Sequence, residues 1–209
     1  MEREKKIFDI SLKITKDMIN FPGDKATEID RAKEIKKDGY NLSSVNMSLH
    51  AGTHIDAPSH FVENGKNIDD IDLGKFIGKV QVIKINNQKE ITRKELLNTD
   101  IKCNKVLFKT RNSTLYKKDS FDENYVYLTY KGAEYLLKKG IRLIGIDYLS
   151  IESSNSHDFP AHKILLKNEV VIIESLNLSN VENGIYNLLA IPLKFKNCEA
   201  SPVRALLYK

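Results

Sequence analysis

One eleven-residue run restricts the local fold more than any other part of the chain: His50-Ala-Gly-Thr-His54-Ile-Asp56-Ala-Pro-Ser-His60. Its four potential ligands stand at offsets of 0, 4, 6 and 10, all even, so an extended chain places every one on the same face. Gly52 and Pro58 oppose the alternative, a helix pairing His50 with His54. A straight strand fails as well, because four residues span about 13 Å, too far for two ligands to share an ion at about 2.1 Å. The chain must fold back between the two histidines, and Gly52 is placed to permit it. His54 and Asp56 remain neighbours on one face, and the segment is predicted to be a strand end bent around a metal. Imidazole nitrogen with carboxylate oxygen suits zinc and its relatives, and three protein ligands (His50, His54 and Asp56) leave a coordination position open. A carboxylate can also bridge two ions, which makes Asp56 the natural hinge of a two-metal site.

The alternative, that these are ordinary polar loop residues, is weakened by a count. The chain of 209 residues holds five histidines, and three of them fall in this run. The other two, His157 and His162, share a second window, Ser153-Ser-Asn-Ser-His157-Asp-Phe-Pro-Ala-His162, read as a loop. Asp147 closes the strand before it, and Glu174 emerges directly from Val170-Val-Ile-Ile173. A carboxylate at the end of a buried strand is costly unless it is solvated, paired or bound to a cation. Given metal in the first window, Glu174 and His162 are the candidates to complete a second ion. His157, among Ser, Asn and Asp, reads as exposed.

Strand-like segments recur at Phe8–Leu12, Ser43–Leu49, Gly78–Ile85, Lys105–Thr110, Ile141–Ile146, Val170–Ile173, Tyr186–Ile191 and Ala205–Tyr208. Thr92 to Asn98 reads as a short helix with Thr92 as N-cap and Glu95 at capping-box spacing, and Lys131 to Lys139 as a helix stopped by Gly140. Many strands with two or three helices predict an α/β domain built on a mixed sheet, without a regular βαβ repeat. No linker or repeat divides it, so one domain over 1–209 is expected.

Several functional classes are excluded by composition. The net charge of +5 comes from 33 basic and 28 acidic residues that are interleaved, as in Arg31-Ala-Lys-Glu-Ile-Lys-Lys-Asp38, so no nucleic-acid groove is expected. Two cysteines, Cys103 and Cys198, make no disulfide scaffold and point to a reducing cytoplasm. The charged run Met1–Lys6 has no apolar segment behind it and reads as no signal peptide, and no apolar run has the length of a membrane span.

The His50–His60 run resembles the signature of the cyclase family of metal-dependent hydrolases, which includes bacterial arylformamidases. Phe8-Asp-Ile-Ser-Leu12, Gly145-Ile-Asp147, Glu174-Ser-Leu-Asn-Leu178, Ile191-Pro-Leu-Lys-Phe195 and Ser201-Pro-Val-Arg204 resemble further family landmarks in the same order. The resemblance implies a swivelling β/β/α domain, a homodimer or homotetramer, and two divalent ions, zinc or manganese. His50, His54 and Asp56 would bind one ion, Asp56 and Glu174 would bridge to a second held also by His162, and His60 would be the general acid/base. The formamidases carry a Trp-Pro-Gly-Asp turn facing the aromatic substrate. Here the turn is Phe21-Pro-Gly-Asp24, so Phe21 is the candidate substrate contact. The implied reaction is hydrolysis of N-formylkynurenine to kynurenine and formate, by hydroxide that an ion makes available at neutral pH. Hydrolysis of a cyclic amide or another small acyl compound, and a non-catalytic metal- or ligand-binding module, are the competing readings. A serine-hydrolase reading is weaker, since Gly-Thr-His is no nucleophile elbow.

Overall fold

The structure, a computed structural model, describes residues 6–209, so all of the charged N-terminal run but Lys6 lies outside the described residues. In chain order the strands are β1 (Ile7–Asp9), β2 (Glu28–Lys33), β3 (Leu42–Asn46), β4 (His54–Asp56), β5 (Ile77–Lys84), β6 (Glu90–Ile91) and β7 (Lys105–Lys109). They continue as β8 (Tyr127–Leu128), β9 (Leu143–Ile146), β10 (Val171–Glu174), β11 (Gly184–Leu189), β12 (Ala200–Pro202) and β13 (Leu206–Tyr208). The helices are α1 (Ile35–Asp38), α2 (Arg93–Leu97), α3 (Tyr130–Lys138) and α4 (Pro160–Lys167).

Nine strands form one mixed sheet in the order β1-β13-β11-β5-β7-β9-β10-β4-β12. Its centre, β5-β7-β9-β10, is parallel, and every flanking pairing is antiparallel. The central strands read as unbroken apolar runs because both faces are covered. Val106, Phe108, Ile144, Ile146 and Ile172 pack with Leu96, Leu136 and Leu165 of the helices. The alternate residues Leu107, Leu143, Val171 and Ile173 pack with Val82, Leu188 and Leu207 on the other face. Gly145, in β9, is required by close approach: a Cβ there would lie 2.4 Å from Leu107 Cδ2 and 2.7 Å from Leu176 Cδ1.

The α/β class and the mixed sheet agree with the sequence reading, while the bounds and two elements differ. Two or three helices are expected from sequence and four α-helices are found, α1 and α2 being four and five residues long. Phe8–Leu12 is a strand only to Asp9, because Ser11 N–H turns back to donate to Asp9 Oδ1. Ser43–Leu49 gives way after Asn46, and that strand pairs with β2 in a separate hairpin. Thr92 does cap α2, accepting from Glu95 N–H at 3.2 Å, but the box is half-made: the Glu95 carboxylate accepts from Asn87 N–H instead. The end of the expected Ser153–His162 loop is helical, since Pro160 occupies the first turn of α4 with its φ already set for a helix. Among the described residues no helix is long and apolar enough to cross a membrane.

Candidate metal centre and active site

The fold-back expected at Gly52 is present: the residue has φ +68°, a conformation glycine adopts freely, and His50 lies on the turn before it. Beyond it β4 is inserted between β10 and β12, with His54 opposite Glu174 and Asp56 opposite Ile172. Alternation along β4 puts His54 and Asp56 on one face, and the antiparallel register brings Glu174 beside them. A 3-10 turn, Pro58–His60, returns His60 to the same place, stacked on His50 at 4.3 Å between ring centroids. His162 arrives from the first turn of α4.

All six residues proposed from sequence as ligands or proton carrier therefore converge. Their nitrogen and carboxylate atoms form two groups with metal-ligand spacing, His50–Asp56–His60 and His54–Asp56–Glu174, which share Asp56. His162 Nε2 adds itself at 3.2 Å from Glu174 Oε1 and 3.8 Å from Asp56 Oδ2. His60 stands in the same cluster, with its ring centroid 4.3 Å from that of His50 and 6.2 Å from that of His162. His157 is exposed, away from the cluster.

These side chains crowd within ion-pair distance of one another around Asp56. His50 Nδ1 approaches Asp56 Oδ1 to 3.1 Å, and His54 Nε2 lies 3.4 Å from the same oxygen. Even so, His54 Nε2 and both Asp56 oxygens are buried without a hydrogen-bond partner. Three buried polar atoms without a partner cost several kcal/mol, roughly, unless something satisfies them together. A divalent cation does so, and the donor set of imidazole nitrogen and carboxylate oxygen fits one.

The tautomers support the same fit. His54 Nδ1 lies 2.9 Å from Gly52 O, and a carbonyl only accepts, so Nδ1 carries the proton and the Nε2 lone pair faces the centre. His162 is arranged alike, with Nδ1 3.3 Å from a Glu152 carboxylate oxygen. Burial works against charge on His54, but Asp56 and Glu174 outweigh it and raise its pKa to about 10. On His162 burial is outweighed by Glu152 and Glu174, again to about 10. Burial pushes Asp56 up, yet His50 and His54 hold it well below the ordinary carboxylate range. Glu174 feels burial and Asp56 pushing up, and His162 and His54 bring it net below its ordinary value. His60 goes the other way: burial lowers its pKa, leaving a neutral imidazole at pH 7.

A cavity of about 180 Å³ opens onto the cluster. Its apolar wall is Phe21, Phe61, Leu149 and Phe159, and Asp24 stands at the same turn as Phe21. Phe21 is held edge-on by Phe121 at 5.5 Å, and Phe121 stacks on Tyr148. Three site residues escaped the sequence reading. Phe61 follows His60 directly, and its aromatic character beside a ligand run was the available signal. Phe159 sits in the left-handed conformation at φ +47°, which no pattern announces. Glu152 lies in a Ser-rich stretch that reads as surface, and is buried.

The Cyclase family model matches residues 8–153. The chain is 36% identical to a kynurenine formamidase of Bacillus cereus (strain ATCC 10987 / NRS 248) over 201 residues, covering 95% of each chain. It is 38% identical to a kynurenine formamidase of Geobacillus thermodenitrificans (strain NG80-2) over 203 residues, covering 96% of each. In three dimensions it is similar to a structure from Bacillus stearothermophilus described as a predicted metal-dependent hydrolase, with TM-score 0.86, 33% identity and 99% of each chain covered. With the family model matched over most of the chain and relatives at 36% and 38% identity covered nearly end to end, the chain belongs to the cyclase family.

Proposed function

We propose that this protein is a metal-dependent amide hydrolase and that its substrate is N-formylkynurenine, cleaved to kynurenine and formate. The observation that carries the reading is the convergence of His50, His54, His162 and Glu174 on the buried Asp56, with three buried polar atoms left for a cation. Full-length similarity to two kynurenine formamidases supports the substrate. His50, His54, Asp56, Glu174 and His162 would hold two divalent ions, with zinc the first choice and manganese the second. Bound there, the ions would acidify a water and polarise the formyl carbonyl. The neutral His60 imidazole would take the proton from that water and return it to the leaving nitrogen as the C–N bond breaks. Phe21, Phe61 and Phe159 would hold the aromatic ring, since an apolar cavity of about 150 Å³ accepts benzene. The ring and its formamide then occupy the cavity, and the amino-acid end of the substrate lies at the mouth.

Phe21, standing where the formamidases carry an indole, leaves a second reading on the same chemistry: a cyclic amide or another small acyl compound. A panel of N-formylkynurenine, cyclic amides and small acyl esters separates the two, and no turnover on any of them would favour a binding module. The expected activity on N-formylkynurenine is lost to a chelator and restored by zinc or manganese. His60→Ala is expected to lower kcat by about 10²–10⁴-fold while both ions stay bound. A His60→Ala protein with its ions and full turnover would sink the assigned role.

Ion uptake should also be coupled to pH. Below the ordinary histidine pKa of 6.5 the imidazolium form stabilises the ion-free fold in full, and that contribution is lost as pH rises through about 10. At pH 7 zinc must therefore expel protons from His54 and His162. Apparent zinc affinity is expected to rise with pH between 6 and 8, by up to about 100-fold per unit if both protons leave. Calorimetry in buffers of different ionisation enthalpy counts them, and a pH-independent affinity would contradict the picture. The same reading takes residues 1–209 as one cytoplasmic catalytic domain that forms a homodimer or homotetramer, which sedimentation would test.

A further inference from the structure

We propose that Glu152 is the positioning residue of the second ion site, setting both the orientation and the donor strength of His162. The inference rests on the two-ion reading above. Glu152 is buried, and one of its carboxylate oxygens gathers three donors from α4: Ala161 N–H at 2.9 Å, His162 N–H at 3.0 Å and His162 Nδ1 at 3.3 Å. The backbone pair are amides of the first helical turn that have no partner within the helix. The third bond fixes the ring. A carboxylate accepts, so the Nδ1 proton points at Glu152 and the Nε2 lone pair is aimed at Asp56 and Glu174.

Glu152 cannot be a ligand to that same ion, because it sits on the far side of the imidazole ring. It acts through the histidine, in a carboxylate–histidine–metal relay that raises the basicity of the bound nitrogen. The contrast with His54 is informative. His54 is backed only by a neutral carbonyl, Gly52 O. The two histidines therefore differ in donor strength, and only the His162 side depends on a charge that mutation can remove. That charge has a second effect. Asp56 and Glu174 supply two negative charges against the four of two divalent ions, and Glu152 is the third buried carboxylate of the cluster. Its own seat is fixed independently of any ion, since Tyr125 OH donates to Glu152 O and Glu152 N–H donates to Ser150 Oγ at 3.1 Å.

The test is Glu152→Gln, measured with zinc alone by competition against a chromogenic chelator. Glutamine keeps an oxygen to accept from the α4 amides, so a residue that merely caps the helix would leave zinc binding untouched. The expected result is one of the two zinc dissociation constants raised by about 10–100-fold, with the other unchanged. Unchanged affinity at both sites overturns the proposal, and so does equal loss at both. If wild-type protein takes up fewer than two zinc ions, the two-ion reading itself fails, which the wild-type titration alone reveals. Should Glu152→Gln fail to fold, the ¹⁵N spectrum of zinc-loaded wild type decides: a proton on His162 Nδ1 is expected, and one on Nε2 overturns the assignment.

Discussion

Asp56→Asn is expected to cost about four orders of magnitude in kcat/KM, roughly 5.5 kcal/mol of transition-state stabilisation, and to reduce bound zinc from two ions per chain to fewer than one. The size of the effect follows from position. Asp56 is fully buried, belongs to both ligand groups, and directs one oxygen to His50 and His54 and the other to His162. Loss of His50, His54 or His162 removes a ligand from one ion, whereas loss of this charge takes a shared ligand from both. An amide keeps the shape but presents one neutral oxygen, with N–H donors in place of the second. The fold should persist, because β4 is held on both sides by backbone pairing with β10 and β12. Elemental analysis alongside kinetics checks it, and an Asp56→Asn protein that retains two ions would contradict the shared-ligand geometry.

The largest stability effect is expected at a carboxylate outside the ion cluster. Asp147→Ala should destabilise the protein by about 3–5 kcal/mol, the range for breaking a buried charged network by removing one member. Asp147 is fully buried and accepts from Thr110 N–H at 2.9 Å, Thr110 Oγ1 at 2.8 Å, Ser113 N–H at 3.1 Å and Ser113 Oγ at 2.7 Å. Burial pushes its carboxyl above the usual range, and the donors from Ser113 and Thr110 offset only part of that. Alanine would strand four donors, each costing about 1–3 kcal/mol before the 3-10 turn Arg111–Lys117 relaxes. Ser113 Oγ also receives Leu178 N–H, so the damage would spread toward the segment after β10. Urea denaturation reads this as a lower midpoint at unchanged slope. A loss under about 1 kcal/mol would mean that water re-enters and satisfies the donors.

How much of this was legible in the sequence can be judged residue by residue. The even spacing of His50, His54, Asp56 and His60, with a glycine between the first two, forced a bent strand, and the chain bends there at Gly52. Glu174 could be suspected because Val-Val-Ile-Ile ahead of it reads as buried. Its place opposite His54 could not, since register is a property of two strands and these partners are 120 residues apart, so no local pattern encodes it. The helix carrying His162 was missed because it is only eight residues long and follows a polar loop. Glu152 was invisible for a related reason: burial of a charged side chain is decided by what folds over it. Of the β2–β3 pair, β3 was legible in the alternation of Ser43–Leu49, whereas β2 escaped because its residues are mostly exposed and charged.

The opposition of His54 and Glu174 has a further consequence, for the order of events when the chain folds. Contacts so distant in sequence carry a large loop-closure cost and form slowly compared with the local pairings of the hairpin and helices. The parallel strands β9 and β10 must be in place before β4 can dock against them in register, and only then do the ligands meet. An ion would therefore arrive at a chain whose ligand-bearing strands are already paired. It would have little to contribute to the rate of folding and much to the rate of unfolding, since withdrawing β4 means breaking the bonds of both His54 and Asp56 to it. In this protein the metal would serve as a latch on a completed structure, with hydrophobic docking of the sheet acting as the guide that builds it.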